Sequence, residues 1–391
     1  MLKGMKKNTD FWSILGVAII TLLIIVMSGK VFEYKSPLKD ARQNLQYQEA
    51  KVISISNEDV SPDPTVPTVL IGSQQIKIEL LTGAYAGEQF EFKNSLSRLY
   101  SVRTKVGMHV IVNYNIVDNK VTNLFVYSYK RSNVVYWLIA LFFALLVLVG
   151  RLKGLKSFVA LVFSTVLIFF YMMPSILSGH NAIISATITA ILIIIVSLCL
   201  IGGFNNKTYT AVIGTAAGVM FAGVIFSVAA HMAHLSGLTS ENVEDMLVIA
   251  ESYKFNVKGV MYAAVLIASL GAVMDIGISI ASSIFEMHEV NPKLDKNRLF
   301  KSGMNVGKDV IGTMSNTLIL AFVGSSLTLL ILIMAANMNY LQVSNLDILC
   351  TEIIQGIAGS MAIVLTVPLT ALISVLFIDK MPKNKKKSRN N

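Results

Sequence analysis

One acidic residue stands inside an otherwise uncharged, membrane-length stretch of this sequence. Asp275 lies near the middle of residues 260–283, where no other residue is charged. A carboxylate at that depth of a bilayer costs about 2.5 to 3.5 kcal/mol on insertion scales, so it needs a polar partner or a functional role. The chemistry open to a lone intramembrane acid is the uptake and release of a proton or another cation. The alternative is a structural acid, satisfied by hydroxyl or amide groups where helices pack.

Small residues share the helical face of Asp275. They follow one another at intervals of three or four positions, as Ala264, Ala268, Gly271, Ser279 and Ser282. Small residues let helices approach closely. The pattern therefore predicts that this face, with Asp275 on it, contacts protein or a cavity and not lipid.

A second polar group begins the next apolar stretch. Asp309, Thr313 and Asn316 fall on one helical face there, although Asp309 is near enough to the membrane surface to act only as a helix cap. Asp275 and Asn316 each lie about 10 to 12 Å from the cytoplasmic ends of their spans. Thr366 lies two residues before Pro368 in the inner half of the last span, where proline frees a carbonyl group. We therefore predict an ion or substrate site on three helices, with these candidates: Asp275, Asn316, Thr313, Thr366, Ser279 and Asp309.

Two histidines form a weaker candidate site. His231 and His234 are three residues apart near the outer end of an apolar stretch, and such a pair can hold a transition metal together with Glu241 or Asp245. The alternative is a pair of interface histidines with no ligand. The sequence contains no C-x-x-C or other zinc-ligand spacing, and we expect no cofactor.

Membrane helices must position all of these residues. Hydrophobic residues make up 54% of the chain and charged residues 14%, which excludes the soluble globular classes. Apolar stretches of about 17 to 28 residues recur along the chain. They predict eight spans, at residues 11–28, 134–150, 156–178, 182–202, 209–235, 257–283, 310–336 and 351–378.

Basic residues predict the orientation of these spans. They cluster before the first span, in the loops at 151–156, 207 and 293–308, and in the tail at 380–389, which all fall on one side of the membrane. Both termini should therefore be cytoplasmic. The net charge of +10 reflects this sidedness and attraction to anionic lipid, so we expect no nucleic acid partner.

The first span has two interpretations. Basic residues precede it and Ser28-Gly29 could follow a cleaved secretory signal. However, the apolar run from Phe11 to Met27 is longer than a usual signal core, and no A-x-A pattern follows it. We therefore interpret residues 1–29 as an uncleaved anchor.

The segment 30–130 has a different pattern from the rest of the chain. Six short alternating runs predict β-strands, with hairpins at Gly72-Ser73 and Asp118-Asn119 and a proline-rich loop from Ser61 to Pro67. The predicted fold is an all-α polytopic bundle of about eight helices with a small extracytoplasmic β-barrel-like domain, OB-like or SH3-like, after the first helix. The domains are an anchor at 1–29, the β domain at 30–130, a seven-helix core at 131–380 and a basic tail at 381–391.

Three segments together resemble one family of membrane proteins. They are Gly271 to Ser283, Gly307 to Leu320, which reads GKDVIGTMSNTLIL, and Leu365 to Ala371, which reads LTVPLTA. Over roughly residues 130–380 the chain resembles the YibE/F-like family of bacterial multi-pass membrane proteins. The resemblance implies the membrane class and, by analogy, a shorter relative without the outer domain as a partner, with self-association as the alternative. It implies no particular substrate.

Two functions are consistent with these features. The first is a permease or transporter component with an ion or substrate site around Asp275, embedded in the lipid bilayer. The second is a membrane scaffold or binding protein whose 30–130 domain engages an envelope partner or serves only for docking. Signatures of enzymes are missing, since the chain has no H-E-x-x-H, no G-x-S-x-G and no Walker loop, and Asp309 lacks the context of an intramembrane aspartyl protease.

Overall fold

A computed structural model describes residues 2–32, 45–117, 120–237 and 243–379. The chain divides into two compact units. One comprises Met1–Tyr34 with Leu146–Asn391, and the other comprises Lys35–Leu145. The first unit contains the helical bundle and the second contains a β-sheet.

The helices account for most of the described residues. A single turn of π-helix, Ile168–Met172, leads into the short helix that contains Pro174, whose missing N–H group and bulky ring disfavour a regular α-helix one turn earlier. The α-helices are α1 (Leu2–Val31), α2 (Ser132–Leu167), α3 (Met173–Leu177), α4 (Ala182–Gly202), α5 (Asn206–Met232), α6 (Val243–Tyr253), α7 (Val257–Val290), α8 (Lys296–Ser325), α9 (Leu327–Ala335), α10 (Tyr340–Val343) and α11 (Asp347–Asp379).

Seven helical stretches of the described residues are long and apolar enough to cross a membrane. The chain is therefore a multi-pass membrane protein. Two of the predicted spans, 134–150 and 156–178, lie within one such stretch of 46 residues, Ser132–Leu177. The predicted span 310–336 is divided between α8, which already begins at Lys296, and α9.

The chain turns sharply within that long stretch. Arg151 has φ 50° and ψ −128°, which is not a helical conformation. Gly154 lies directly against the carbonyl oxygen of Leu146, although a straight helix would separate residues 146 and 154 by about 12 Å. The stretch therefore consists of two helical segments that meet at Arg151, where the sequence predicts the loop between two spans.

Glycines determine how the helices of the bundle approach one another. Gly214 and Gly218 of α5 lie against Thr370 and Thr366 of α11, so residue numbers rise on α5 as they fall on α11 and the two helices are antiparallel. Gly277 of α7 lies in the same way against Thr215 of α5. By contrast, α4 and α7 are parallel, because Ala182 meets Gly259 and Gly202 meets Ile278. Helix direction therefore alternates along the chain, as a series of membrane crossings requires.

These glycine contacts also explain two buried hydroxyl groups. The Oγ1 atoms of Thr215 and Thr370 are buried and have no conventional hydrogen-bond partner among the described residues. Each lies against a glycine, whose missing side chain makes room for the hydroxyl group. The row of hydroxyl groups between α5, α7 and α11 is therefore part of the close packing of these three helices.

The second unit contains a five-stranded antiparallel sheet. Its strands are β1 (Leu45–Pro62), β2 (Leu70–Leu80), β3 (Gln89–Leu96), β4 (His109–Val117) and β5 (Lys120–Tyr129), in the order β3-β2-β1-β4-β5. The two edge strands contact each other, so the sheet curls into a half-barrel. Its core is formed by buried residues of both halves, including Val52, Ile76, Ile78, Val110 and Val112.

One of the two predicted hairpin turns in this domain is wrong, whereas the strands on either side of the other one pair as expected. Gly72-Ser73 does not form a turn, because β2 continues through it and pairs with both β1 and β3. Gly72 has φ +130° and lies against the carbonyl oxygen of Asp59, a position that only glycine fits, so this glycine serves a strand and not a turn. Asp118-Asn119 lies outside the described residues, but Val117 pairs with Lys120 on either side of it.

The proline-rich loop after β1 is organised by one carboxylate. Asp63 Oδ1 accepts hydrogen bonds from the backbone N–H groups of Thr65 at 2.7 Å and Val66 at 3.0 Å. Arg98 donates to both carboxylate oxygens, at 2.7 and 2.8 Å. The Arg98 guanidinium, helped by the two backbone N–H groups, holds the pKa of Asp63 well below its usual range.

Candidate functional site

Asp275 lies on the outer side of α7. The residues that α7 buries against α4, α5, α8 and α11 include Val273, Ile276, Gly277 and Ile280. At 100° per residue, Asp275 points away from all of them, and its side chain is exposed in the single chain. None of the ion pairs among the described residues includes it.

The small-residue stripe faces outward together with Asp275. Ala264, Ala268, Gly271 and Ser279 are all exposed, and a side chain at Gly271 would meet nothing within 4 Å. The sequence predicts that this face contacts protein or a cavity, but neither contact is formed within one chain. Periodicity identifies the residues that share a face, whereas it does not show in which direction the face points.

The polar residues of α8 also lie on an outward face. Asp309, Gly312, Thr313 and Asn316 are exposed, while α8 packs on its neighbours through the opposite side. Thr313 Oγ1 donates to the carbonyl oxygen of Val310 at 2.9 Å, so its hydrogen is already used inside its own helix. Asn316 has two amide donors and one acceptor, and the described chain shows no partner for its side chain.

The contacts between α7 and α8 show which of their residues lie at the same level, that is, at the same height along the helix axes. Gly303 packs against Ile284, and Leu318 and Ser269 meet beside Gly359, so α7 and α8 are antiparallel. Asp275 lies nine residues before Ile284 and Gly312 lies nine residues after Gly303, which places these two at the same level. Asn316 is one helical turn, about 6 Å, from that level. The sequence estimate of equal depth for Asp275 and Asn316 is therefore wrong by one turn.

Thr366 occupies a different part of the molecule. It is fully buried between α11 and α5, against Gly218, and its Oγ1 donates to the carbonyl oxygen of Ala362 at 2.7 Å. Ser279, by contrast, lies on the same exposed face as Asp275, one turn away. The structure therefore places Asp275 with Ser279, and Asp309 with Thr313 and Asn316, on two outward faces, and it keeps Thr366 apart from both.

Asp275 does not line any of three cavities found among the described residues of the helical unit. Two are apolar and lie beside α1. The third is polar, has a volume of about 250 Å³ and lies where α4 and α7 begin, lined in part by His180, Asn181, Lys254 and Asn256. Sequence analysis did not identify this cavity, because its residues come from two loops about 75 positions apart.

The two histidines lie at the end of α5. His231 is in the last turn of α5, whereas His234 follows the helix and has φ 52°, so the pair is not on consecutive turns of one helix. Both side chains are exposed. The described residues include no group of three His, Cys, Asp or Glu side chains that could hold a metal ion, and Glu241 and the side chain of Asp245 lie outside them.

Comparison with known proteins assigns the helical part of the chain. A family model described as YibE/F-like protein matches residues 138–380, which is more than half of the chain. The chain belongs to the YibE/F-like family. The YibE/F-like region includes all of α7, α8 and α11 and ends at residue 380. It excludes the β domain. No curated protein and no solved structure matches the chain.

Proposed function

We propose that this YibE/F-like protein is a component of a membrane permease in which Asp275 takes up and releases a proton or another cation. The observation that supports the proposal is an exposed carboxyl group without a partner on a membrane-spanning helix. The proposed location is the cytoplasmic membrane of a bacterium, which rests on the resemblance to a family of bacterial membrane proteins. Both termini are proposed to lie in the cytoplasm, as the placement of basic residues indicates.

The proposed mechanism follows from the cost of a buried charge. An ionised Asp275 is costly in hydrocarbon, whereas its protonated form is neutral and tolerated there. The same group can ionise when a polar surface or water lies against it. Whether Asp275 holds a proton therefore depends on what the outer face of α7 contacts. A transporter needs such a coupling to alternate between two packing states.

The moving element in this mechanism is α8. Only four of its 30 residues are buried, namely Leu299, Gly303, Gly307 and Leu318, whereas α7 buries 15 of 34. An element held by few buried contacts shifts at lower cost than one that is packed on several sides. By contrast, α5, α7 and α11 form the fixed part, held by the close threonine–glycine contacts described above, and α4 packs on α7 through Ala182 and Gly202. A shift of α8 against this fixed part would supply the two packing states without unfolding the bundle.

The test is flux or charge movement in proteoliposomes, measured for protons, metal cations and small anions. Asp275→Asn keeps the shape of the side chain and removes its ability to ionise, so it should abolish the signal. Ser282→Ala, two turns away on the same helix, is the matched control and should retain it. A full signal in Asp275→Asn would refute the mechanism. A wild-type signal no greater than that of protein-free liposomes, with monodisperse protein, would refute transport by this chain alone.

A second candidate function rests on the surface of the β domain. Tyr47 and Tyr127 form an exposed edge-to-face pair with ring centroids 5.1 Å apart, and they are 46% and 47% exposed. Exposed paired aromatics favour binding of a partner in the cell envelope, and the chain would then act as a scaffold. Deletion of residues 36–128 distinguishes the two functions, because transport by the remaining core would contradict a purely scaffolding role.

A further inference from the structure

Two outward faces of the helical unit lack partners within the chain. The acid face belongs to α7 and consists of exposed small residues with one carboxyl group: Ala264, Ala268, Gly271, Asp275 and Ser279. The amide face belongs to α8 and consists of exposed polar residues and one glycine: Asn305, Asp309, Gly312, Thr313 and Asn316. Hydrocarbon cannot satisfy the carboxyl and amide groups, so both faces require a polar surface.

The two faces complement each other level by level. Asp275 is level with Gly312, and by the same register Gly271 is level with Asn316. Each larger side chain therefore has a glycine opposite it, and neither glycine has another atom within 4 Å of where a Cβ would lie. Asn316 contributes N–H donors, and a carboxylate is the group that accepts them. The acid face and the amide face are thus complementary in shape and in hydrogen bonding over the same two helical turns.

The faces cannot meet inside one chain, because α7 and α8 contact each other through different sides. Ile284, Ser269, Gly303 and Leu318 form that internal contact, and the acid and amide faces point away from it. A second copy, by contrast, can present its amide face. Rotation about an axis along the membrane normal leaves every residue at its own depth, so the level matching found within one chain holds between copies.

We propose that the acid face of one copy packs against the amide face of a second copy, with Asn316 of the second copy donating to Asp275 of the first. Used twice about a two-fold axis, this contact closes a dimer. Direct packing of one acid face on another is less favourable, because two carboxyl groups would then meet at the same depth and one of them would have to stay protonated. The close approach at Gly271 and Gly312 is typical of helix pairs in membranes.

The experiment uses two tagged forms of the full-length chain expressed together, with Cys199 and Cys350 replaced by serine. One form has Gly271→Cys and the other has Asn316→Cys, and oxidation is performed in native membranes. A disulfide requires Cα atoms about 4.4 to 6.8 Å apart, so a dimer that contains both tags reports the proposed contact. Gly271 tolerates a side chain in the single chain, since nothing lies within 4 Å of its Cβ position.

Met220→Cys in place of Gly271→Cys is the matched control. Met220 is exposed on α5 and is level with Gly271, because Gly218 meets Val273 and the helices are antiparallel. This control should give no dimer with Asn316→Cys. In the copy with Asn316→Cys, Asp275→Asn should keep the yield, because its amide still accepts a hydrogen bond from Asn316 of the Gly271→Cys copy. Asp275→Leu in the same copy should lower the yield by about threefold.

Three results would overturn the proposal. The first is the absence of a mixed-tag dimer when both forms are present in the membrane. The second is a mixed-tag yield equal to that of the Met220→Cys control. The third is a higher yield between two Gly271→Cys copies, which would mean that the acid faces pack on each other. The inference goes beyond the proposed permease function, and crosslinking is scored without any flux measurement, so the two can fail separately.

Discussion

Lys156 Nζ donates a 2.6 Å hydrogen bond to Oδ1 of Asp10, across 146 positions of sequence. The Lys156 side chain is 9% exposed, and that of Asp10 is 32% exposed. The beginning of α1 and the segment after Arg151 therefore lie at the same end of the helical unit.

Loss of this ion pair should destabilise the helical unit. Lys156→Met leaves Asp10 without its partner, and we expect a cost of about 1 to 3 kcal/mol, between the values for exposed and buried pairs. Thermal unfolding of the purified protein measures it. Asp10→Asn combined with Lys156→Met should cost little more than Lys156→Met alone. Strictly additive effects of the two substitutions would show that the pair is not coupled.

A second prediction concerns the close contact between Gly218 and Thr366. A methyl group at position 218 would collide with Thr366 Oγ1. Gly218→Ala should therefore lower the stability of the bundle by about 1 to 3 kcal/mol, the usual range for overpacking. Gly324→Ala is the control, since nothing lies within 4 Å of its Cβ position and it too is helical.

The same contact offers a test by rescue. Thr366→Ala removes the hydroxyl group that the new methyl group would meet, so Gly218→Ala with Thr366→Ala should be more stable than Gly218→Ala alone. Thermal unfolding in one detergent compares the three variants. If Thr366→Ala fails to restore stability, the cost at position 218 has another origin.

The sequence predicts the membrane helices well and the direction of their faces poorly. Hydropathy locates the spans, but α7 and α8 continue beyond the apolar stretches to Val290 and from Lys296, because helices extend into water without a hydropathy signal. Small residues occur both at the buried Gly218 and at the exposed Gly271. Lipid and the protein interior are both apolar, so hydropathy does not show which of them a row of small residues faces. That direction depends on tertiary packing, which the local sequence does not reveal.

The β domain shows a similar limit. Alternation and turn residues predict a small barrel-like domain of six strands, whereas the described sheet is a half-barrel of five. Asp63 begins the loop where proline spacing indicates one. The register is less predictable, because Gly72 looks like a turn residue and is in fact a position within a strand where backbones approach closely. The pairing of β2 with the 18-residue strand β1 decides whether Gly72 lies in a turn or within a strand. That pairing is long-range, so a local sequence pattern does not reveal it.

A third prediction concerns the stability of the Asp63 loop as pH changes. The pKa of Asp63 is lowered in the folded state, chiefly by Arg98, so its stabilising effect is present above its unfolded value near 3.8 and is lost as pH falls below it. Protection of residues 62–70 against hydrogen exchange, corrected for intrinsic rates, should therefore decrease in acid.

Substitution separates this effect from general acid unfolding. Asp63→Asn should reduce protection of the loop at neutral pH and weaken its dependence on pH, because the charge that Arg98 binds is absent at every pH. Asp59→Asn is the matched control, since Asp59 is exposed and lies on β1, four residues before Asp63. An unchanged pH dependence in Asp63→Asn would assign the acid response to other groups.

A fourth prediction concerns the sidedness of the loops. The antiparallel contact of α7 with α8 places residues 291–295 at one end of the unit, whereas the opposite direction of α8 and α11 places residues 336–346 at the other. Basic residues are frequent in and after the first of these loops and absent from the second, so the first should be cytoplasmic. In a background without Cys199 and Cys350, Lys293→Cys should react with an impermeant maleimide only in inverted vesicles, and Ser344→Cys only in right-side-out vesicles. Labelling of both positions from one side would contradict the alternating helix directions, whereas exchange of the two patterns would keep the fold and reverse its orientation in the membrane.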